Sequence, residues 1–111
     1  MSLVWLAARS GDAATLQVLI AQGYDINEKG GIAKSTPIGI AASLGNFECV
    51  SILLDNKADV TAIDNDGETA LYRLIYGYSL RAGMEILSRR SIEILLDIAD
   101  RMLQMGADAC F

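Results

Sequence analysis

Apolar residues along this 111-residue chain come in short helix-length stretches separated by polar breaks. Leu3, Val4, Leu6, Ala7 and Ala8 precede Ser10-Gly11-Asp12, and Leu16, Val18, Leu19 and Ile20 then run up to Gly23. The pattern predicts a helix pair from about Leu3 to Gln22, with Asp12 capping the second helix and Gly23 ending it. A loop from Asp25 to Ser35 follows, with Gly30-Gly31 as its turn signal. A second pair opens with Thr36 as cap and Pro37 at the first helical position, where its missing amide hydrogen costs nothing. Gly45 permits the reversal, and Asn46 caps a helix carrying Val50, Leu53 and Leu54. Asp64-Asn65-Asp66-Gly67 then reads as a tight hairpin turn.

The pattern also repeats. Ala7-Ala8, Gly11, Val18-Leu19-Ile20 and Asp25 sit 34 positions before Ala41-Ala42, Gly45, Ile52-Leu53-Leu54 and Asp59. Thr36 recurs 33 positions on as Thr69. Self-similarity at this period predicts stacked repeats, each too small to bury its apolar face alone. Thr-Pro opening a short helix, Ala-Ala one turn on, then a Gly, an apolar helix and Ala-Asp-Val resemble the ankyrin repeat. The tetratricopeptide pattern needs a Trp and a Gly-x-x-Tyr spacing in its first helix, and neither is present.

The resemblance implies an all-α repeat solenoid of helix-turn-helix units joined by β-hairpin loops. It divides a single domain, residues 1–111, into repeats of about 2–35, 36–68 and 69–111. Thr36 to Ala58 spans 22 positions and Thr69 to Ala107 spans 38, so the third repeat carries a 16-residue insertion between its helices, within residues 76–91. The family's His after Thr-Pro is replaced by Trp5, Gly39 and Tyr72, which removes its usual tie between repeats. Lys57 stands where the family has Gly, and strain at that helix end is expected.

The final helix is expected from about Ser91 to Met105, with Ser88 or Ser91 as its cap. On a helical wheel Ile92, Leu95, Leu96, Ala99, Met102 and Leu103 form the expected docking face, and Ile94, Ile98 and Met105 a second stripe. Three covers suit that stripe. The insertion folding back through Leu80, Met84 and Leu87 is favoured, ahead of a further repeat or a homodimer burying Ile94 and Ile98.

Composition narrows the function. The chain is 52% hydrophobic, which suits a packed domain. Its formal charge of -5 argues against binding nucleic acid or an anionic membrane. No apolar run approaches the ~20 residues of a membrane span, and the first residues do not form a secretory signal. Two cysteines, Cys49 and Cys110, lack metal-ligand spacing, so a reduced, cytoplasmic setting is expected.

Catalysis finds little support. Without His, the usual general base is missing, and Cys49 falls on an apolar helix face as a core residue. Asp64, Asp66 and Glu68 around Gly67 only faintly match a calcium loop, because Ala62 and Arg73 occupy ligand positions. Gly30-Gly31 lacks the preceding strand and following Lys of a phosphate loop. No cofactor or metal is expected.

What remains is binding to another protein. The resemblance places a concave surface on Arg9 and Ser10, Ser43 and Leu44, and Tyr76. It places hairpin tips at Lys29, Ile32, Lys34 and Ser35, and at Ile63, Asn65, Asp66 and Glu68. Two other readings stand beside this one: an inhibitor or immunity-type protein whose acidic tips mask a basic enzyme site, and a targeting fragment of a larger enzyme or effector.

Overall fold

A computed structural model describes residues 2–74 and 89–105. Six helices appear among them: α1 (Leu3–Ser10), α2 (Ala13–Ala21), α3 (Pro37–Leu44), α4 (Phe47–Asp55), α5 (Ala70–Tyr72) and α6 (Arg89–Gln104). The insertion falls almost wholly outside the described residues, as do Tyr76 and Ser88.

Local chemistry sets the helix ends. Ser2, Thr36 and Thr69 are period-related, and each side chain accepts the backbone N–H three residues on. Asp12 caps α2 in the same way through the Thr15 N–H, at 3.1 Å. Gly11 and Gly45 close α1 and α3 in the left-handed conformation, which lets the next helix fold straight back. Lys57 adopts φ 61°, so a side-chain-bearing residue does sit in the left-handed region there.

Helices of eight or nine residues are marginal by themselves, so their stability comes from packing. Here α3 lies between α1 and α5, while α4 lies between α2 and α6. The two layers enclose one core, in which Leu16, Ile38, Val50, Leu53, Leu71, Leu74 and Met102 are fully buried. Among the described residues no strand forms. The first loop closes on a single antiparallel bridge between Gly30 and Ser35, and the second on Asp64 N–H to the Glu68 carbonyl, at 3.1 Å.

Asn46 corrects one expectation. It occupies the cap position of α4 but makes no capping bond. Its side-chain amide reaches back to α1 and donates to the carbonyls of Ala8 and Arg9, at 2.9 and 3.1 Å. The Ala8 carbonyl also accepts the Gly11 N–H at 3.3 Å, so the neighbouring unit adds to the closure of this helix end.

α6 corrects another. It begins at Arg89, so Ser91 lies inside the helix and does not cap it. Its docked arc is rotated from the expected one: it keeps Ala99 and Met102 and takes in Ile94, Ile98 and Met105 in place of Leu96 and Leu103. Ile98 is 3% exposed and Met102 fully buried, with Ile94 and Met105 packed against the same core, whereas Leu96 is 65% exposed. Arg101, on the arc of Ile94 and Ile98, donates to Ser51 Oγ at 3.0 Å and Asp55 Oδ1 at 2.6 Å on α4, adding a polar contact on the docked side. The stripe expected to need a separate cover is therefore part of the docking face, with Ile98 buried and Ile94 half-buried against the core.

Truncation tests this rotation. Ile98→Ala is expected to cost about 2–4 kcal/mol in urea unfolding. Leu96→Ala should stay within about 0.5 kcal/mol of the parent.

Candidate functional site

The loops and the α1–α3–α5 layer meet in a groove of about 370 Å³. Leu6, Ile40 and Arg73, successive at 34 and 33 positions, supply one residue each from α1, α3 and the end of α5. Trp5 and Arg9 add the α1 wall, and Ile32 and Ala33 the loop wall.

Trp5 is the pivot of that wall. Its indole N–H donates to Ser35 Oγ at 3.2 Å, joining the first helix pair to the residue that precedes the second. Its ring packs so closely on Gly30 and Gly31 that a Cβ on either would lie 2.7 Å from ring atoms. Gly30-Gly31 is thus a seat for an aromatic ring as well as a turn. Trp5, in the place of the family's His, ties α1 to the base of the loop that ends its own repeat. Arg9 lies over the same ring, its guanidinium carbon 5.8 Å from the centroid.

The two loop tips are bonded to each other. Asn27 Oδ1 accepts the Asp59 N–H at 2.8 Å, and Lys29 Nζ donates to the Ile63 carbonyl at 2.8 Å. Asn65 donates its backbone N–H to Ala33 O at 2.8 Å and its side-chain amide to Ile32 O at 3.3 Å. Asp25 and Asp59, one period apart, each accept the N–H two residues on and set the loop's departure.

Asp64 organises the second loop from inside. Its Oδ1 accepts the Asp66 and Glu68 N–H groups at 2.8 and 3.0 Å, and its Oδ2 takes Arg73 Nε at 2.7 Å, with the Arg73 terminal amine also paired to it. Burial pushes this carboxyl upward. The Glu68 N–H, the hydrogen bond and charge of Arg73 and the Asp66 N–H outweigh that and hold it below the ordinary carboxylate range. Asp64, Asp66 and Glu68 do bring carboxylate oxygens within 4.8 Å of one another. With Asp64 saturated by backbone donors and compensated by Arg73, the trio reads as a turn.

The expected contact residues divide accordingly. Arg9, Ile32, Lys34, Ile63, Asn65 and Asp66 are exposed, and Glu68 and Leu44 are half-buried. Lys29 is exposed with its amine engaged across the tips. Ser10 is exposed but lines a different hollow, beside Leu3, Asp12 and Leu19. Two assignments are overturned. Ser35 is 4% exposed because it sits at the base of the loop and accepts the Trp5 bond. Ser43 is 6% exposed: α3 is flanked on both sides, and its short side chain turns back to donate to Ile40 O at 3.0 Å. Tyr76 lies outside the described residues. Trp5, Leu6, Ile40 and Arg73 were missed as groove residues, although Leu6, Ile40 and Arg73 each lie four positions after Ser2, Thr36 and Thr69, which was a usable signal.

Cys49 is buried, and burial, with Glu48 and Asp12 nearby, raises its thiol pKa. It is a packed core side chain held as the thiol. No helix among the described residues is long and apolar enough to cross a membrane.

Stacked helix pairs, Thr- or Ser-capped first helices and projecting loops bonded at the tips define the class of α-helical repeat solenoids. Within that class the chain belongs to the ankyrin repeat family: the sequence model for ankyrin repeats in three copies matches residues 4–98. A putative ankyrin repeat protein of Rickettsia felis is 34% identical over 106 residues, 96% of this chain and 21% of that protein. Ankyrin repeat and SOCS box protein 6 of Mus musculus is 32% identical over 83 residues, 74% of this chain and 19% of that protein. The crystal structure of the human ASB11 ankyrin repeat domain superposes with a TM-score of 0.72 at 25% identity, covering 100% of this chain and 42% of that one. The chain thus spans about a fifth of the length of these two curated relatives. Ankyrin repeats are general protein–protein interaction modules, and that is the coarse function of this domain.

Asp64 gives a pH test. Its folded-state pKa lies below the unfolded value of 3.8, so its stabilising contribution is present above that value and is lost as pH falls through the folded pKa. Asp64→Asn should cost about 3 kcal/mol near neutrality, the scale for breaking a buried pair, and flatten the acid limb of a stability profile measured below pH 5. An unchanged acid limb in the variant would remove Asp64 from this role.

Proposed function

We propose that this domain binds a partner protein through its concave face and loop tips and has no chemistry of its own. One observation carries the reading: Ile32 is 98% exposed at the tip of a loop that is cross-bonded to the next. A large apolar side chain held in water on a braced loop is what a contact anchor requires, because little conformational entropy remains to be lost on binding. Ile63, also exposed, and Lys34 and Asp66 give it a polar, mixed-charge surround. The absence of His, together with the buried, protonated Cys49, supports a non-catalytic role. That free cysteine also fits a cytoplasmic setting.

The test is affinity purification from the source cells with quantitative mass spectrometry, comparing the parent with Ile32→Asp/Ile63→Asp. Both side chains are exposed, so the variant's melting temperature should match the parent's. A specific partner should be retained by the parent and depleted tenfold or more, about 1.4 kcal/mol or above, with the variant. Capture indifferent to both substitutions would count against the tips.

A further inference from the structure

The groove has a charge character opposite to that of the chain. Fourteen Asp and Glu residues outnumber nine Lys and Arg, yet among the described residues no carboxylate lines the groove, while Arg9 and Arg73 both do. The two arginines differ in what they are free to do. Arg73 is paired to Asp64, just as Arg101 elsewhere is paired to Asp55. Arg9 instead rests on the Trp5 ring, and among the described residues no acceptor meets its N–H donors. Trp5 cannot retreat, because Gly30 and Gly31 back its ring and Ser35 holds its N–H. Arg9 is therefore a permanently charged fork on a rigid platform, facing a cleft that no carboxylate of the described residues lines. Ile32, exposed, and Ile40, half-buried, supply an apolar wall to the same cleft.

We propose that the groove receives an extended segment of the partner protein carrying a carboxylate beside a bulky apolar side chain. Arg9 takes the carboxylate and the Ile32–Ile40 wall the apolar group. This rests on the reading of the concave face as the partner surface. The net charge of -5 and the isolation of Arg9 favour an acidic peptide over a phosphate backbone, whose binding needs several cations along one track.

The full chain is panned against a phage-displayed random dodecapeptide library, and enriched peptides are measured by fluorescence polarisation. Enriched sequences should place Asp or Glu next to Leu, Ile or Phe. Arg9→Gln should weaken them about tenfold or more, the scale of a charge-assisted hydrogen bond. Changing the peptide carboxylate to its amide should lose the same factor, and the two changes together should cost no more than either alone. Arg9 and Ile32 are exposed, so unchanged melting of Arg9→Gln and Ile32→Asp certifies the variants. Peptides lost with Ile32→Asp but indifferent to Arg9→Gln overturn the acidic specificity and leave the concave surface standing. Peptides indifferent to both overturn the surface as well. No enrichment, or an equal response to a single-stranded oligonucleotide, overturns the proposal.

Discussion

The fold rests on hydrogen bonds that cross from one helix pair to the next. Each pair alone has helices too short to persist and ends that leave carbonyls unpaired. Asn46 reaching Ala8 and Arg9 and Asn27 accepting from Asp59 answer both needs at once. Each satisfies a polar group and sets the register between units, so that Leu16, Ile38, Leu53 and Leu71 come to share one core. Remove the crossing bonds and the apolar layers remain attractive but unregistered. Apolar burial has no direction, and these bonds provide it.

Much of this was legible in the sequence because it depends on local chemistry. The caps Asp12 and Thr36, the reversal at Gly45 and the core placement of Cys49 each follow from a few adjacent residues. What resisted were groups whose partners lie about thirty or more positions away. Asn46 looks like a cap because cap and cross-strut use the same amide. Ser35 and Ser43 were placed on the surface by the resemblance, and packing in the folded chain buries them. The wheel of α6 carries two adjacent apolar arcs, and an apolar count cannot rank them. The fit of Ile98 and Met102 against α4 and the rest of the core, with Arg101 bonded to α4 alongside, goes with one of them.

The candidate site shows the same division. Its exposed tips, Ile32, Ile63 and Asp66, were readable through the resemblance to the family. Its inner wall was not, because Trp5 registers in sequence as a missing His and Arg73 as a failed calcium ligand. In the folded chain those two residues have structural partners, Ser35 and Asp64, and groove-lining positions together. A residue that departs from a repeat's pattern can thus make a bond of its own and alter the surface in one step.

Trp5 is the chain's single tryptophan, and it lies in the groove wall with a guanidinium over its ring and glycine backbone against it. The molecule therefore carries its own optical reporter where a partner would sit. Indole emission responds to nearby charge and hydration, so anything that draws Arg9 from the ring or expels water from the groove changes the signal without a label. Occupancy of this surface and looseness at the first repeat junction become visible in one spectrum.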